Sequence, residues 1–168
     1  MDVNQIIADA DAAMESVELD RALSLYSAAS SILKGHVQLQ VPEANPLLLA
    51  RVLLKLGEVK VSLEDPEGAR QDFVFATSLI EKDDDDIVLE THEIRAGLWL
   101  YLGQLSSEQE ALAAFRKGIE ELEACVRLLE NKCHEKQTVP MLEGFHGCLL
   151  FYLGTGAGHC GLAAQNSV

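Results

Sequence analysis

The stretch VLLKLGEVKVSLEDPEGARQDFVFA, residues Val52–Ala76, predicts a complete helical hairpin. Apolar residues recur at helical spacing in both halves, which predicts two amphipathic helices. Asp65-Pro66 marks the start of the second helix, because aspartate caps free backbone N–H groups and proline is preset for the first helical position. Small residues such as Gly57 let the helices approach closely, and large residues such as Phe73 fill the adjacent space.

The order of these residues resembles the tetratricopeptide repeat, a helical hairpin of about 34 residues with a W-x2-L-G motif followed by A-x3-F. Leu53 stands at the position that is most often tryptophan in the family. Gly57 and Ala69 lie 12 positions apart (69 − 57), as in the family. Phe73 and Ala76 complete the second motif. The rest of the chain resembles imperfect copies of this unit.

A first copy is predicted over residues 3–36. Ala22, Tyr26 and Ala29 repeat the pattern of the second helix 47 residues earlier (69 − 22), and Ala10 takes the place of Gly57. Its helices are expected over residues 2–16 and 18–34. Gly35 is expected to end the second one. A loop, GHVQLQVPEANP, then leads to Asn45-Pro46, which predicts a capped helix over residues 47–63, followed by a helix over residues 67–81.

A third copy is predicted from GLWLYLG, residues 97–103, which contains the W-x2-L-G motif in full. Asp86 is expected to cap its first helix, over residues 87–105. Ser106 or Ser107 is expected to start the second helix in a capping-box pattern, and that helix should run to about Asn131. Phe115 and its small neighbours match the second motif. Gly103 and Ala111, however, lie only 8 positions apart (111 − 103).

A partial fourth copy is predicted from CLLFYLG, residues 148–154, which resembles GLWLYLG at an offset of 51 (154 − 103). The following residues, TGAGHCGLAAQNSV, are rich in glycine and predict a disordered tail over 155–168. We therefore expect an all-α protein, a helical-hairpin solenoid of about three repeats plus a partial fourth, spanning residues 1–154. An uncovered apolar helix at its end would promote self-association.

Composition supports helices packed on helices: 48% of the residues are hydrophobic but only 5% are aromatic. The formal net charge of −14 disfavours direct nucleic-acid partners and anionic membranes, because both require a positive surface. A basic protein is the natural complement. We expect no signal peptide and no membrane span, and hence a protein of the cytoplasm, with the nucleus as a second compartment.

No motif of a known catalytic class is found, so we expect no enzymatic activity, no cofactor and no small-molecule substrate. Zinc is the alternative to consider, because cysteine and histidine are zinc ligands. Their spacing in the C-terminal third does not match paired-ligand zinc motifs, which favours packed cysteines and loop histidines. The candidates are Cys125, Cys133, His134, His146, Cys148, His159 and Cys160.

The tetratricopeptide resemblance implies a concave groove, lined by the first helix of each repeat, that receives an extended peptide. By position, the groove residues would be Asn4, Ile7, Asp11, Met14, Glu15, Arg51, Leu54, Glu58, Val61 and Ser62. Repeats that bind the acidic C-terminus of heat-shock chaperones use Lys, Arg and Asn here. This groove has mainly carboxylates, with Arg51 as the only strong cation, so that role is disfavoured.

The acidic residues are therefore the predicted partner-binding residues: Asp11, Glu15, Glu58, Asp83, Asp84, Asp85 and Asp86. We expect this surface to prefer lysine and arginine side chains, with some apolar anchoring. The alternative is a solvated acidic surface that serves solubility only.

A narrower resemblance lies in LWLYLGQLSSEQEALAAFRKGIEELE, residues 98–123, which is similar to a hairpin in the assembly chaperones of ribosomal large-subunit protein 4. The resemblance implies capture of a long basic extension of that protein before ribosome assembly. A generic tetratricopeptide scaffold or co-chaperone adaptor is the second hypothesis, since this fold hosts many functions. An enzyme or metal protein is the third.

Overall fold

The computed structural model describes residues 2–42, 44–80 and 88–136, with side chains described up to residue 132. These residues form six α-helices and no strand, which confirms the predicted all-α class. The helices are α1 (Val3–Glu15), α2 (Leu19–Gln38), α3 (Pro46–Ser62), α4 (Pro66–Ile80), α5 (Leu89–Gln104) and α6 (Glu108–Lys136). The chain divides into two compact units, Met1–Leu128 and Leu129–Val168. The predicted fourth copy, the boundary at residue 154 and the tail lie outside the described residues.

Two predicted helix starts are confirmed. Asn45 accepts a hydrogen bond from the Leu48 N–H at 3.0 Å, and α3 begins at Pro46. Asp65 accepts one from the Gly68 N–H at 2.9 Å, and α4 begins at Pro66. Each carboxylate or amide oxygen satisfies a backbone donor that has no partner within its own helix.

Three predicted boundaries are wrong. Gly35 does not end α2, which continues to Gln38 because Val37 packs against the core and holds the extra turn. The N-cap of α5 is Val88 rather than Asp86. The last helix, α6, extends to Lys136 rather than to Asn131, since no proline or glycine interrupts the chain before Pro140.

The hairpins α1–α2 and α3–α4 are built on one plan. Ala10 and Tyr26 are buried in the first hairpin, and Gly57 and Phe73 occupy the same positions in the second. A Cβ atom added to Gly57 would overlap the Phe73 ring. In both hairpins the second residue after the first helix has a left-handed backbone, with φ 59° at Val17 and 61° at Glu64, which lies 47 positions later (64 − 17). The predicted offset of 47 therefore holds at the level of backbone and core.

The hairpin α5–α6 keeps the same contact with a shorter spacing. A Cβ atom added to Gly103 would lie 2.6 Å from Phe115 Cε1, so the glycine again makes room for the ring. The spacing is 12 residues here (115 − 103) and 16 in the second hairpin (73 − 57), a difference of about one helical turn. The first helix ends one residue after Gly103, whereas α3 continues for five residues past Gly57.

Neighbouring hairpins share one core. Each helix from α1 to α4 packs on the next one, and α3 also packs on α5. Phe73 of α4 stacks on Tyr101 of α5, with ring centroids 5.1 Å apart and an angle of 17° between the planes. Leu54 of α3 lies against Gly97 of α5. These contacts join the second hairpin to the third through α3, α4 and α5.

Candidate protein-binding surface

The predicted binding residue Asp11 is tied directly to the core. Tyr26 of α2 is only 1% exposed, and its hydroxyl donates a hydrogen bond to Asp11 Oδ1 on α1. Burial raises the pKa of Tyr26, and the hydrogen bond to Asp11 raises it further. The contact fixes the orientation of a carboxylate whose residue is otherwise exposed.

Glu58 lies near the same tyrosine. Its charge also raises the pKa of Tyr26, while Arg51 lowers it, which shows that side chains of α1, α2 and α3 share one electrostatic environment. Glu58 Oε2 forms an ion pair with Lys55 Nζ at 2.9 Å. Arg51 was expected to be the only strong cation of this region, but Lys55 is a second cation there. The sequence contains a signal for this pair, because Lys55 stands three residues before Glu58 on one helix and such residues face each other.

Arg51 extends the region to α5. Its guanidinium forms an ion pair with Glu90 Oε1 at 3.3 Å, and both side chains are about half exposed. Glu90 was not among the predicted binding residues, because the hairpin alignment did not assign groove positions on α5. Glu15, one turn beyond Asp11 on α1, is exposed. We call the resulting surface the acidic face: Asp11, Glu15, Arg51, Lys55, Glu58 and Glu90.

The acidic face holds four carboxylates and two cations, a formal balance of −2 (2 − 4). It is thus a mixed-charge surface rather than a purely acidic one. Two groove residues predicted to face a partner are instead buried: Ile7 is 6% exposed and Leu54 is 8% exposed. Both belong to the core that supports the face. The run Asp83–Asp86, also predicted to bind, lies outside the described residues.

A second feature lies between α4, α5 and α6. This cavity of about 250 Å³, which we call the Trp99 pocket, is lined by Thr77, Ile80, Arg95, Trp99, Lys117, Glu120 and Glu121. Lys117 Nζ lies 4.0 Å from the centroid of the Trp99 ring. In the sequence, Trp99 indicates only a repeat motif, and no sequence pattern predicts this pocket.

Buried Arg95 forms one wall of the Trp99 pocket. Its Nε donates to the backbone oxygen of Ile80 at 2.8 Å, and its Nη1 lies 3.9 Å from Glu121 Oε1. Ile80 is the last residue of α4, where a cation also interacts favourably with the helix dipole. Glu121 Oε2 in turn lies 2.5 Å from His92 Nδ1. The network orders the pocket wall and joins the end of one hairpin to the next.

Of the candidate zinc ligands, Cys125 is the one with a described side chain. It is fully buried, and burial together with nearby Glu93 and Glu121 raises the pKa of the thiol to about 11. Metals bind the thiolate, which this environment disfavours. Among the described side chains, no three histidine, cysteine, aspartate or glutamate residues form a group that could hold a metal ion. The other candidates lie beyond the described side chains.

Within the described part of the chain, no helix is long and apolar enough to cross a membrane. No protein-family model matches the chain, and no curated protein matches it significantly. The described residues define an all-α protein of packed helical hairpins with a mixed-charge surface and an aromatic pocket. These two features are the candidate binding sites of the described residues.

Proposed function

We propose that this chain is a non-enzymatic protein-binding module with a tetratricopeptide-like array, and that it shields a basic segment of a client protein. The observation that supports the proposal most directly is the acidic face. Its carboxylates come from three helices, and one of them, Asp11, is held by the core through a hydrogen bond from Tyr26. Such a surface attracts lysine and arginine side chains and disfavours acidic partners.

The chain as a whole favours the same class of client. With a net charge of −14, it attracts basic segments at long range and accelerates their association at low salt. A newly made ribosomal protein has basic segments that are shaped to bind RNA. A carboxylate-rich face can take the place of the phosphates, and salt weakens this attraction. The resemblance of residues 98–123 makes ribosomal large-subunit protein 4 the client that we propose.

A scaffold or adaptor is the second candidate, and α6 provides an observation in its favour. Leu112, Ile119 and Val126 are about half exposed, at 54%, 51% and 47%. They recur every seven residues and so form an apolar stripe along one side of the helix. A partner that docks on this stripe would bind through apolar contacts and would tolerate salt.

Capture of partners at two salt concentrations separates the two proposals. The tagged chain is incubated with a eukaryotic lysate at low salt, and bound proteins are identified by mass spectrometry before and after a high-salt wash. The chaperone proposal predicts that ribosomal large-subunit protein 4 dominates and is released by salt. Salt-resistant capture that is lost in an Ile119→Glu variant would instead support the adaptor.

A further inference from the structure

We propose that the Trp99 pocket binds a single arginine side chain of the basic segment, and that Lys117 occupies its place in the free protein. This inference rests on the proposed function, since it assumes a basic client. It adds a contact point that is distinct from the acidic face and is built from α4, α5 and α6.

The position of Lys117 identifies the kind of group that the pocket accepts. Its Nζ lies 4.0 Å from the Trp99 ring centroid, where the negative face of the indole attracts a cation. Lys117 is exposed, so its flexible side chain can move into solvent without disturbing the core. Trp99 is partly buried and stays in place on α5. An incoming cation can therefore replace the lysine over the ring.

The charges of the pocket favour one incoming cation. Among the described lining residues other than Lys117, there are one cation, Arg95, and two carboxylates, Glu120 and Glu121, for a formal balance of −1. Arg95 is buried and donates to the Ile80 backbone oxygen, which keeps its guanidinium at the wall. A single positive side chain over Trp99 restores neutrality.

Arginine fits this position better than lysine does. Its planar guanidinium stacks on an aromatic face and is more weakly hydrated than an ammonium group. Its N–H groups can donate to a carboxylate while the plane lies on the ring. Glu120, an exposed residue of the lining, is the acceptor that we assign to it.

The experiment uses Trp99, the only tryptophan of the chain, as a fluorescent reporter. A labelled peptide of alternating arginine and serine is titrated with the full chain, and binding is followed both by peptide anisotropy and by Trp99 emission. A lysine–serine peptide of equal charge tests the preference for arginine. The variants are Lys117→Ala and Glu120→Gln.

Lys34→Ala is the matched control. Lys34 Nζ lies 5.3 Å from the ring centroid of Phe75, so this variant also removes a lysine over an aromatic ring and changes the net charge equally. It does not touch the Trp99 pocket. Any difference between the two lysine variants therefore reports on the pocket itself.

We expect the arginine peptide to change Trp99 emission and to bind Lys117→Ala about two- to fivefold more tightly than Lys34→Ala, the factor that corresponds to an exposed cation–π contact. Glu120→Gln should weaken binding, and the lysine peptide should change Trp99 emission less. The peptide could bind, as measured by anisotropy, with equal affinity for the two lysine variants and with unchanged Trp99 emission. That result would overturn the assignment of the Trp99 pocket as a binding site but would leave the proposed function intact. An equal emission response to both peptides would overturn the assignment to arginine. No anisotropy change with either peptide would overturn both proposals.

Discussion

Tyr26 donates a hydrogen bond from the interior of the protein to Asp11 on its acidic face. The ring fills the position that Phe73 occupies in the next hairpin, and the hydroxyl is what distinguishes these two side chains. One side chain thus serves packing through its ring and orients a surface carboxylate through its oxygen. The binding surface that we propose is therefore linked to the stability of the fold.

Removal of this hydroxyl should lower the stability of the fold and should reduce the loss of stability that occurs as the pH rises into the alkaline range. Tyr26→Phe loses one hydrogen bond to a partly exposed carboxylate, which we expect to cost about 1 kcal/mol at neutral pH. The pKa of Tyr26 is raised in the folded state, so the unfolded chain releases the phenol proton first. Stability from this group is complete below the unfolded pKa of about 10 and falls as pH rises above it.

The measurement is urea unfolding of both proteins at neutral and at alkaline pH. The difference between wild type and Tyr26→Phe should shrink as the pH rises above about 10. A constant difference across this range would contradict the assigned role of the hydroxyl.

Two glycine substitutions should have opposite effects. Gly57→Ala places a Cβ atom into the Phe73 ring and should destabilise the fold by about 1–3 kcal/mol through overpacking. Gly35→Ala is the matched control, since it lies within α2 and a Cβ atom there meets nothing within 4 Å. It should stabilise the protein by up to about 1 kcal/mol through helix propensity. Thermal melting of both variants decides this, and equal shifts would refute the packing of the second hairpin.

Substitutions of Arg95 and Arg127 should show that a buried ion pair contributes more to the stability of the fold than an exposed one. Each has a guanidinium nitrogen 3.9 Å from a glutamate oxygen. Arg95→Ala also removes the donors to the Ile80 backbone oxygen and should cost about 1–3 kcal/mol. Arg127→Ala should cost less than about 0.5 kcal/mol, because its pair with Glu123 is about two-thirds exposed. If denaturant unfolding gives the two variants equal stabilities, Arg95 does not join α4 to α5 as described.

Cys125 should resist alkylation in the native protein. Its thiol is fully buried, and its pKa is raised to about 11, so little thiolate forms at pH 8. Peptide mass spectrometry after iodoacetamide treatment should find Cys125 unmodified in the native state and modified in urea. Rapid modification of Cys125 in the native protein would show that this side chain of α6 is not buried.

The features of the fold that could be predicted from the sequence, and those that could not, differ for physical reasons. The cap pairs at Asn45 and Asp65 were predicted because their chemistry is local to a few residues. Gly57 was predicted as a contact site because the same spacing recurs in the chain. The predicted end of α2 was wrong because the packing of Val37 against the core outweighs the helix-ending tendency of Gly35.

The candidate sites were predicted less completely, since they depend on contacts between distant helices. Asp11 could be placed on a helix face, but its bond to Tyr26 joins residues 15 positions apart. The ion pair between Arg51 and Glu90 joins residues 39 positions apart. The Trp99 pocket requires α4, α5 and α6 together, so no single stretch of sequence indicates it.

The most direct test of the central claim is the affinity of the full chain for the arginine–serine peptide after three acids of the acidic face are neutralised. Asp11→Asn, Glu15→Gln and Glu58→Gln are combined, and the asparagine can still accept the Tyr26 hydrogen bond. The control neutralises three exposed acids elsewhere, Asp20, Glu110 and Glu130, and so has the same net charge. We predict that the face variant binds roughly tenfold more weakly than the control at low salt, and that added salt removes the difference. Equal affinities for the two triple variants would contradict the claim that the acidic face binds the client.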